Sequence, residues 1–567
     1  MNYSIHNNNI DFERIAPDIK ATLYDYVAIG SYSDTEHEKE VEPFFEKLMK
    51  SYPYYMENPE HFGIYRIPGD HLGRAVCWAL VKGEGSDTVC MVHHYDVVGV
   101  EDFKTLKDFA LLPEKLHEML HKNKEMLSEE ARADLESGEF LFCKGGCDMK
   151  AGGSIQFTLL REYGNMALKG EFKGNILVVS VPDEENLSAG MRGAAKLLAE
   201  MKEKYSLNYK LMINSEPHQR RESEVGVFSL GTVGKVMPFV YARGSMSHVG
   251  KVFEGLNPVV LLSEIERRTE LNMDFTDVVD TDETSSECSP PPTWIYMKDS
   301  KEVYDVSMPV NAYGCISVLN LTSSPAEVLA RLRKICEDSF DCVIKEVNEA
   351  YHQFLEKSKR PKADLPWKVL VSSFDELLEE AKKDHGDEFV KLYEEKTKEL
   401  LDDFNSAKRS IINCNYELLN FVFDYVDNVS PRVVYGLVPP YYPCVSNLDY
   451  EKEDEKIKNL YPILLEYTRK NFDQEYIKEY FFSGICDLSY IDMRDEEGIR
   501  KALTESMPLF GDFYDIPLED IGKISMPGIN IGPWGKDFHK LSERVLLEDV
   551  YNRTPRILDA AVKYMLD

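Results

Sequence analysis

The run Asn175-Ile176-Leu177-Val178-Val179, followed by Pro182 and then Asp183-Glu184-Glu185, constrains this chain more than any other segment. A short, uninterrupted apolar run between turn residues suits a strand buried on both faces, as in a helix-covered parallel sheet. Gly190 and the stretch from Met191 to Lys202 then read as the start of a helix. Ligands of open α/β sheets gather beyond the carboxyl ends of strands, so these acids stand where chemistry is expected. Adjacent carboxylates repel and burying one alone is costly, so a bound metal ion would account for the cluster. The competing reading, an exposed acidic loop, is left open by the segment alone.

At 567 residues the chain exceeds a single core, and two or more domains are expected. With 43% hydrophobic and 29% charged residues it has the make-up of a soluble globular protein. A net charge of −33 argues against nucleic acid or an anionic membrane surface as partner. Eleven scattered cysteines, a polar opening segment from Met1 to Asn9 and no apolar run of membrane-spanning length predict reduced thiols and a cytoplasmic location.

Taken in order, Phe12 to Val27 and Val41 to Tyr52 read as amphipathic helices. Ala75 to Val81 and Thr88 to Val92 read as strands about a turn from Gly83 to Asp87. The second strand leads into His93-His94-Tyr95-Asp96, and extended-chain alternation puts His94 and Asp96 on one face, where the carboxylate can orient the imidazole. Glu101 to Glu139 reads as a charged, helical surface excursion. Gly145-Gly146-Cys147-Asp148, with Gly152-Gly153 beyond, then predicts a tight turn into a helix with Asp148 near its start. Cys143 and Cys147 lack the second cysteine pair of a thiolate zinc site and read as packing residues. Tyr209 to Pro217 reads as a further strand ending in a carboxylate, Glu216. Thus His94, Asp148, Glu184, Glu185 and Glu216 are delivered by three strand ends and one glycine-rich turn. His93 and His218 are the competing imidazoles, and Lys150 reads as a residue of the fold.

With these pieces in this order, the sequence resembles the M20 family of metallopeptidases and amidohydrolases. The resemblance rests on His94-Tyr95-Asp96-Val97-Val98, Gly146-Cys147-Asp148-Met149-Lys150-Ala151-Gly152, Asp183-Glu184-Glu185 and Ser215-Glu216-Pro217. It continues through Ser245-Met246-Ser247-His248-Val249-Gly250, Gly255-Leu256-Asn257-Pro258, and Gly532-Pro533-Trp534 with His539. Length and the stretch from Pro439 to Pro443 are similar to the RocB-type arginine-utilisation branch. The resemblance implies two divalent metal ions, zinc first with cobalt or manganese as alternatives, bridged by Asp148. One ion would take His94 and Glu216, the other Glu185 and His539. Glu184 would be the general base, passing a proton from the attacking water to the leaving amine, and Asp96 would support the centre. The implied reaction is hydrolysis of an amide bond in a small peptide or N-acyl amino acid. The alternative is a catalytically silent relative that binds a metabolite or protein partner.

The resemblance also implies the architecture: a zinc-peptidase-like α/β domain whose central, mostly parallel sheet is flanked by helices, with an inserted ferredoxin-like lid or dimerisation domain. Residues 1–230 and 376–567 are assigned to the former and 231–375 to the latter. Within the insert, Val236 to Ala242, a helix from Pro258, strands near Trp294 to Met297 and Tyr313 to Leu319, a helix from Pro325 and a strand from Lys368 to Ser372 follow β-α-β-β-α-β order. Asp274 to Pro292 reads as a loop, and Asp375 to Asp427 as charged helix packed on the lid or on a second copy. By resemblance His248 would reach into a partner's active site in a homodimer and steady the oxyanion, and Asn257 would bind substrate. Arg432 to Leu437 reads as a strand of the returning catalytic domain. Asp487 fits a family substrate segment, but Ser489 stands where several relatives carry arginine, which argues against a dicarboxylate substrate. A final helix is expected from Arg544.

Overall fold

The computed structural model describes residues 10–220, 225–282 and 284–567, so the polar segment Met1 to Asn9 lies outside the described residues. The chain folds as two units. One runs to Thr232 and adds Val445–Met493 and Pro517–Asp567; the other comprises Val233–Cys444 and Arg494–Ile516.

The first unit is built on an eight-stranded sheet in the order Phe62–Arg66, Ala75–Lys82, Lys173–Val181, Glu84–His94, Asn208–Asn214, Gly528–Asn530, Val225–Ser229, Glu475–Glu479. Its middle is parallel: Lys173–Val181, Glu84–His94, Asn208–Asn214 and Gly528–Asn530 all run the same way. Every residue from Gly174 to Val181 is buried, as the apolar run requires, and helices Ala151–Ala167 and Ala189–Lys204 both pack on this strand. The strands on either side of Gly83 are not neighbours, because Lys173–Val181 lies between them, antiparallel to one and parallel to the other. The expected turn is also shorter, since the second strand already begins at Glu84. Helix Phe12–Val27 has the expected bounds and is started by Asp11, whose carboxylate accepts the Arg14 N–H at 3.1 Å. The excursion 101–139 is less superficial than its charge suggests: Phe103, Leu106, Leu116, Leu120 and Leu135 form an apolar cluster with Phe140 and Phe142. Arg544 begins a short strand, Arg544–Leu546, paired with Phe140–Phe142, and the last helix starts only at Thr554. Among the described residues no helix is long and apolar enough to cross a membrane.

The second unit carries a sheet in the order Thr293–Asp299, Asn311–Asn320, Pro238–Arg243, Arg432–Leu437, Val371–Ser373. The first three strands and helices Pro258–Thr269 and Pro325–Lys357 follow the expected β-α-β-β-α pattern, but the fourth place belongs to Arg432–Leu437, antiparallel to Pro238–Arg243 over all six residues. Val371–Ser373 is an added edge strand, parallel to it. The assignment of 376–444 to the catalytic domain is therefore corrected, and that of 494–516 with it, since both belong to the second unit. An apolar strand reads the same whichever sheet it joins, and only its pairing assigns it.

The charged segment is two helices, Phe374–Asn405 and Ile411–Phe423. Their apolar residues Phe374, Leu377, Phe389, Leu419 and Phe423 cluster with Phe239, Tyr241, Tyr313, Cys315 and Val434 of the sheet. Of the two packing partners left open by the sequence, the helices thus cover a sheet face within their own unit. The loop 274–292 contains a hairpin, Val278–Asp280 with Ser286–Cys288. Beside it, buried Asp277 accepts the N–H groups of Leu321, Thr322 and Ser323 at 2.8–2.9 Å.

Candidate metal centre

Four chain segments of the first unit meet at the carboxyl ends of the parallel strands. Glu84–His94 ends in His94, Lys173–Val181 leads to Glu184 and Glu185, and Asn208–Asn214 leads to Glu216. Gly528–Asn530 leads through 531–538 to His539, which adopts a positive φ of 65°. Asp148 comes from the glycine-rich turn ahead of helix Ala151–Ala167. Gly152 and Gly153 let that helix approach closely, since a Cβ on either would lie 2.3 Å from the Ser215 carbonyl or 2.5 Å from the His93 ring.

Asp148 is the hub. Its Oδ1 lies 3.0 Å from His94 Nε2 and its Oδ2 3.0 Å from His539 Nε2. His539 Nε2 is also 3.0 Å from Glu185 Oε1, and His94 Nε2 is 3.7 Å from Glu216 Oε2. The ligand atoms of His94, Asp148 and Glu185 lie within 4.8 Å of one another. Two ligands bound to one ion at about 2.0–2.2 Å and a right angle stand about 3 Å apart, so these separations fit shared cations. Glu216 Oε2 and both oxygens of Asp487, each buried, have no hydrogen-bond partner, a costly arrangement that a nearby cation would relieve.

The electrostatics follow from this crowding. Burial, with Asp148 close by, raises the pKa of Glu185 and of Glu216. Burial likewise raises Glu184, with Glu185, Glu216 and Asp487 adding to the effect against His94. Asp487 is pushed up to about 7, mainly by burial. Asp148 is the exception: burial would raise it, but the two imidazoles hold it well below the usual carboxylate range. Hydrogen bonds to Asp148 and Glu185 lift His539 to about 10.

Asp96 is fully buried and acts on the acid loop, its two oxygens accepting the N–H groups of Glu184 at 3.1 Å and Glu185 at 3.2 Å. His94 Nδ1 hydrogen-bonds the Asp96 backbone carbonyl at 3.0 Å, while the Asp96 carboxylate is 3.6 Å away. The competing imidazoles are otherwise engaged. His93 meets Gln156 at 2.9 Å and Tyr26 at 3.3 Å, with burial lowering its pKa to about 3; His218 meets the Gly532 carbonyl at 2.9 Å. Lys150 donates to the carbonyls of Tyr26 and Ile29 at 3.2 and 2.7 Å, as a residue of the fold. Cys143 and Cys147 are buried free thiols. In the second unit, His248 is exposed and its Nδ1 accepts the Gly250 N–H at 3.0 Å, while Asn257 caps helix Pro258–Thr269 by accepting the Val259 N–H at 3.0 Å.

Two supporting groups are not legible in the sequence. Arg74, 2% exposed, pairs with Asp183 at 2.6 Å and Glu38 at 2.9 Å, and Glu38 in turn accepts the Asp183 N–H at 2.9 Å. Asp183 therefore fastens the loop from which Glu184 and Glu185 project. Glu543 accepts the N–H groups of Cys147 and Asp148 at 3.2 and 3.3 Å and faces Lys144 at 3.8 Å. Besides its local partner Asp70, Arg74 meets Asp183 from 109 residues away, and Glu543 meets Asp148 from 395 away, contacts that no local pattern marks.

Parallel strands that gather imidazoles and carboxylates at their ends define an α/β enzyme of the metallopeptidase and amidohydrolase class. The chain belongs to the peptidase family M20/M25/M40, which matches residues 122–555. It is similar along nearly its whole length to two proteins of Bacillus subtilis (strain 168). The uncharacterized protein YqjN is 31% identical over 553 residues, covering 97% of this chain and 96% of that protein. RocB is 25% identical over 553 residues, covering 97% and 95%. In fold it is similar to the dipeptidase Dug1p of Saccharomyces cerevisiae, with a TM-score of 0.52 at 11% identity over 98% of this chain and 97% of that one. The M20 metallo-carboxypeptidase Sso-CP2 of Sulfolobus solfataricus gives 0.52 at 11% over 97% and 100%.

Proposed function

We propose that this chain hydrolyses an amide bond in a small peptide or N-acyl amino acid at a centre for two divalent ions, with Glu184 as general base. The observation that carries the reading is Asp148, whose two oxygens each face a different imidazole at 3.0 Å beside an acid-rich turn. His94 and Glu216 would hold one ion, Glu185 and His539 the other, with zinc, cobalt or manganese suited to this mixed donor set. Held there, the two cations would polarise the scissile carbonyl and acidify the attacking water. Glu184 takes the proton of that water on its carboxylate and delivers it to the leaving nitrogen. Asp96 keeps the backbone of Glu184 and Glu185 in place for this transfer.

The similarity to RocB supports a substrate from arginine or ornithine metabolism. Asp487, a buried carboxylate without a partner, suits a substrate with a cationic group, and Ser489 offers no charge to a second carboxylate. His248 is assigned to oxyanion stabilisation across a homodimer. Asn257 keeps a substrate-binding assignment beside its capping role.

Glu184→Gln tests the reading: turnover of N-acyl-arginine, N-acyl-ornithine or dipeptides should fall about 10²–10⁴-fold with bound metal unchanged. Undiminished turnover would remove Glu184 from this role. Loss of metal in step with activity would make it a ligand instead.

A further inference from the structure

One pair of imidazoles outside this centre is arranged as ligands are. Helix Pro113–Lys122 carries His117 and His121, four positions apart and so on one face. Their Nε2 atoms are 3.1 Å apart and the rings meet edge to face, with centroids separated by 4.6 Å. Two imidazole nitrogens at about 2.0–2.1 Å from one ion, at angles between square and tetrahedral, stand about 2.8–3.4 Å apart. The observed separation falls within that bite.

The helix holds the pair in this geometry. Leu116 and Leu120, on the turns that carry the two histidines, are buried in the apolar cluster with Phe103, Leu135 and Phe140. Asn123 closes the helix end by donating to the Met119 carbonyl at 2.8 Å. Partial burial and the neighbouring imidazole lower the pKa of His117, which keeps its lone pair available at neutral pH.

We propose that His117 and His121 form a separate surface site for one borderline divalent transition-metal ion, with water completing its coordination. An all-imidazole donor pair excludes magnesium and calcium as preferred ions and ranks copper(II) above nickel and zinc. The competing explanation of the short contact is an N–H···N hydrogen bond between neutral rings, which binds no metal.

The test uses the full chain carrying its own metal, titrated with copper(II), with copper uptake, metal release and the paramagnetic resonance spectrum recorded together. The wild type should take up one more copper per chain than His117→Ala or His121→Ala. Each substitution should weaken that step at least about tenfold and remove the two-nitrogen coupling, with turnover unchanged. Equal uptake and identical spectra in all three proteins would overturn the assignment, leaving the hydrogen bond. Copper uptake matched in every protein by release of resident metal would overturn it equally, because the copper would then be exchanging at the first centre.

Discussion

Two groups of buried acids in the first unit are balanced in opposite ways. Around Arg74, the acids Glu38, Asp70 and Asp183 share a guanidinium, with contacts of 2.9, 2.7 and 2.6 Å. Around Asp148, the acids Glu185 and Glu216 meet only imidazoles among the described ion pairs, and Asp487 meets no partner. Asp183 and Glu185 belong to opposite groups although one residue separates them. Where the chain supplies its own strong cation, an acid fastens a loop; where it supplies none, the acids are the donors of the proposed metal centre. The first group is itself over-negative, and burial, with Asp96 close by, raises the pKa of Glu38 against the pull of Arg74.

The largest expected effect that sharpens this contrast comes from Asp148→Asn. Losing the carboxylate that faces both imidazoles should weaken metal binding more than about 100-fold and abolish turnover, as read by bound-metal analysis. Full metal retention would take Asp148 out of the ligand set. Next is Arg74→Met, which strands Glu38, Asp70 and Asp183 without their cation and should cost about 3–5 kcal/mol in a denaturant titration. A variant as stable as the parent would break the comparison, since those acids would then need no cation. The smallest effect is on pH dependence. His539, held at about 10 by its hydrogen bonds to Asp148 and Glu185, keeps a proton that a divalent ion bound there would displace. Binding should therefore release protons and tighten as pH rises toward about 10. Calorimetry in two buffers of different ionisation enthalpy reads this directly; affinity independent of pH would contradict it.

Much of the site could be read in advance because its parts are local. A buried strand announces itself by an apolar run, and a strand end followed by acids or histidine is visible within ten residues, as at His94, Glu184–Glu185 and Glu216. The helix Phe12–Val27 was equally legible from its apolar spacing. Other readings needed the fold. Arg544 was expected to start a helix yet lies buried in a strand, and Phe374–Asn405, expected on the lid or on a second copy, covers a sheet of its own unit with Phe374, Leu377 and Phe389. Counting charges along a helix hides a narrow apolar stripe, which is all that packing requires.

The sequence by itself determined the family, the mixed α/β class and the types of side chain available for a cation. Tertiary structure alone decided which of the adjacent acids Asp183, Glu184 and Glu185 is neutralised by Arg74, that Lys173–Val181 slides between two strands adjacent in sequence, and that Arg432–Leu437 joins the second sheet. The reason is physical: periodicity and composition report how a residue meets its immediate surroundings. Pairing partners and counter-charges are chosen by contacts between residues distant in the chain, where an apolar strand or a carboxylate looks the same whichever partner it finds.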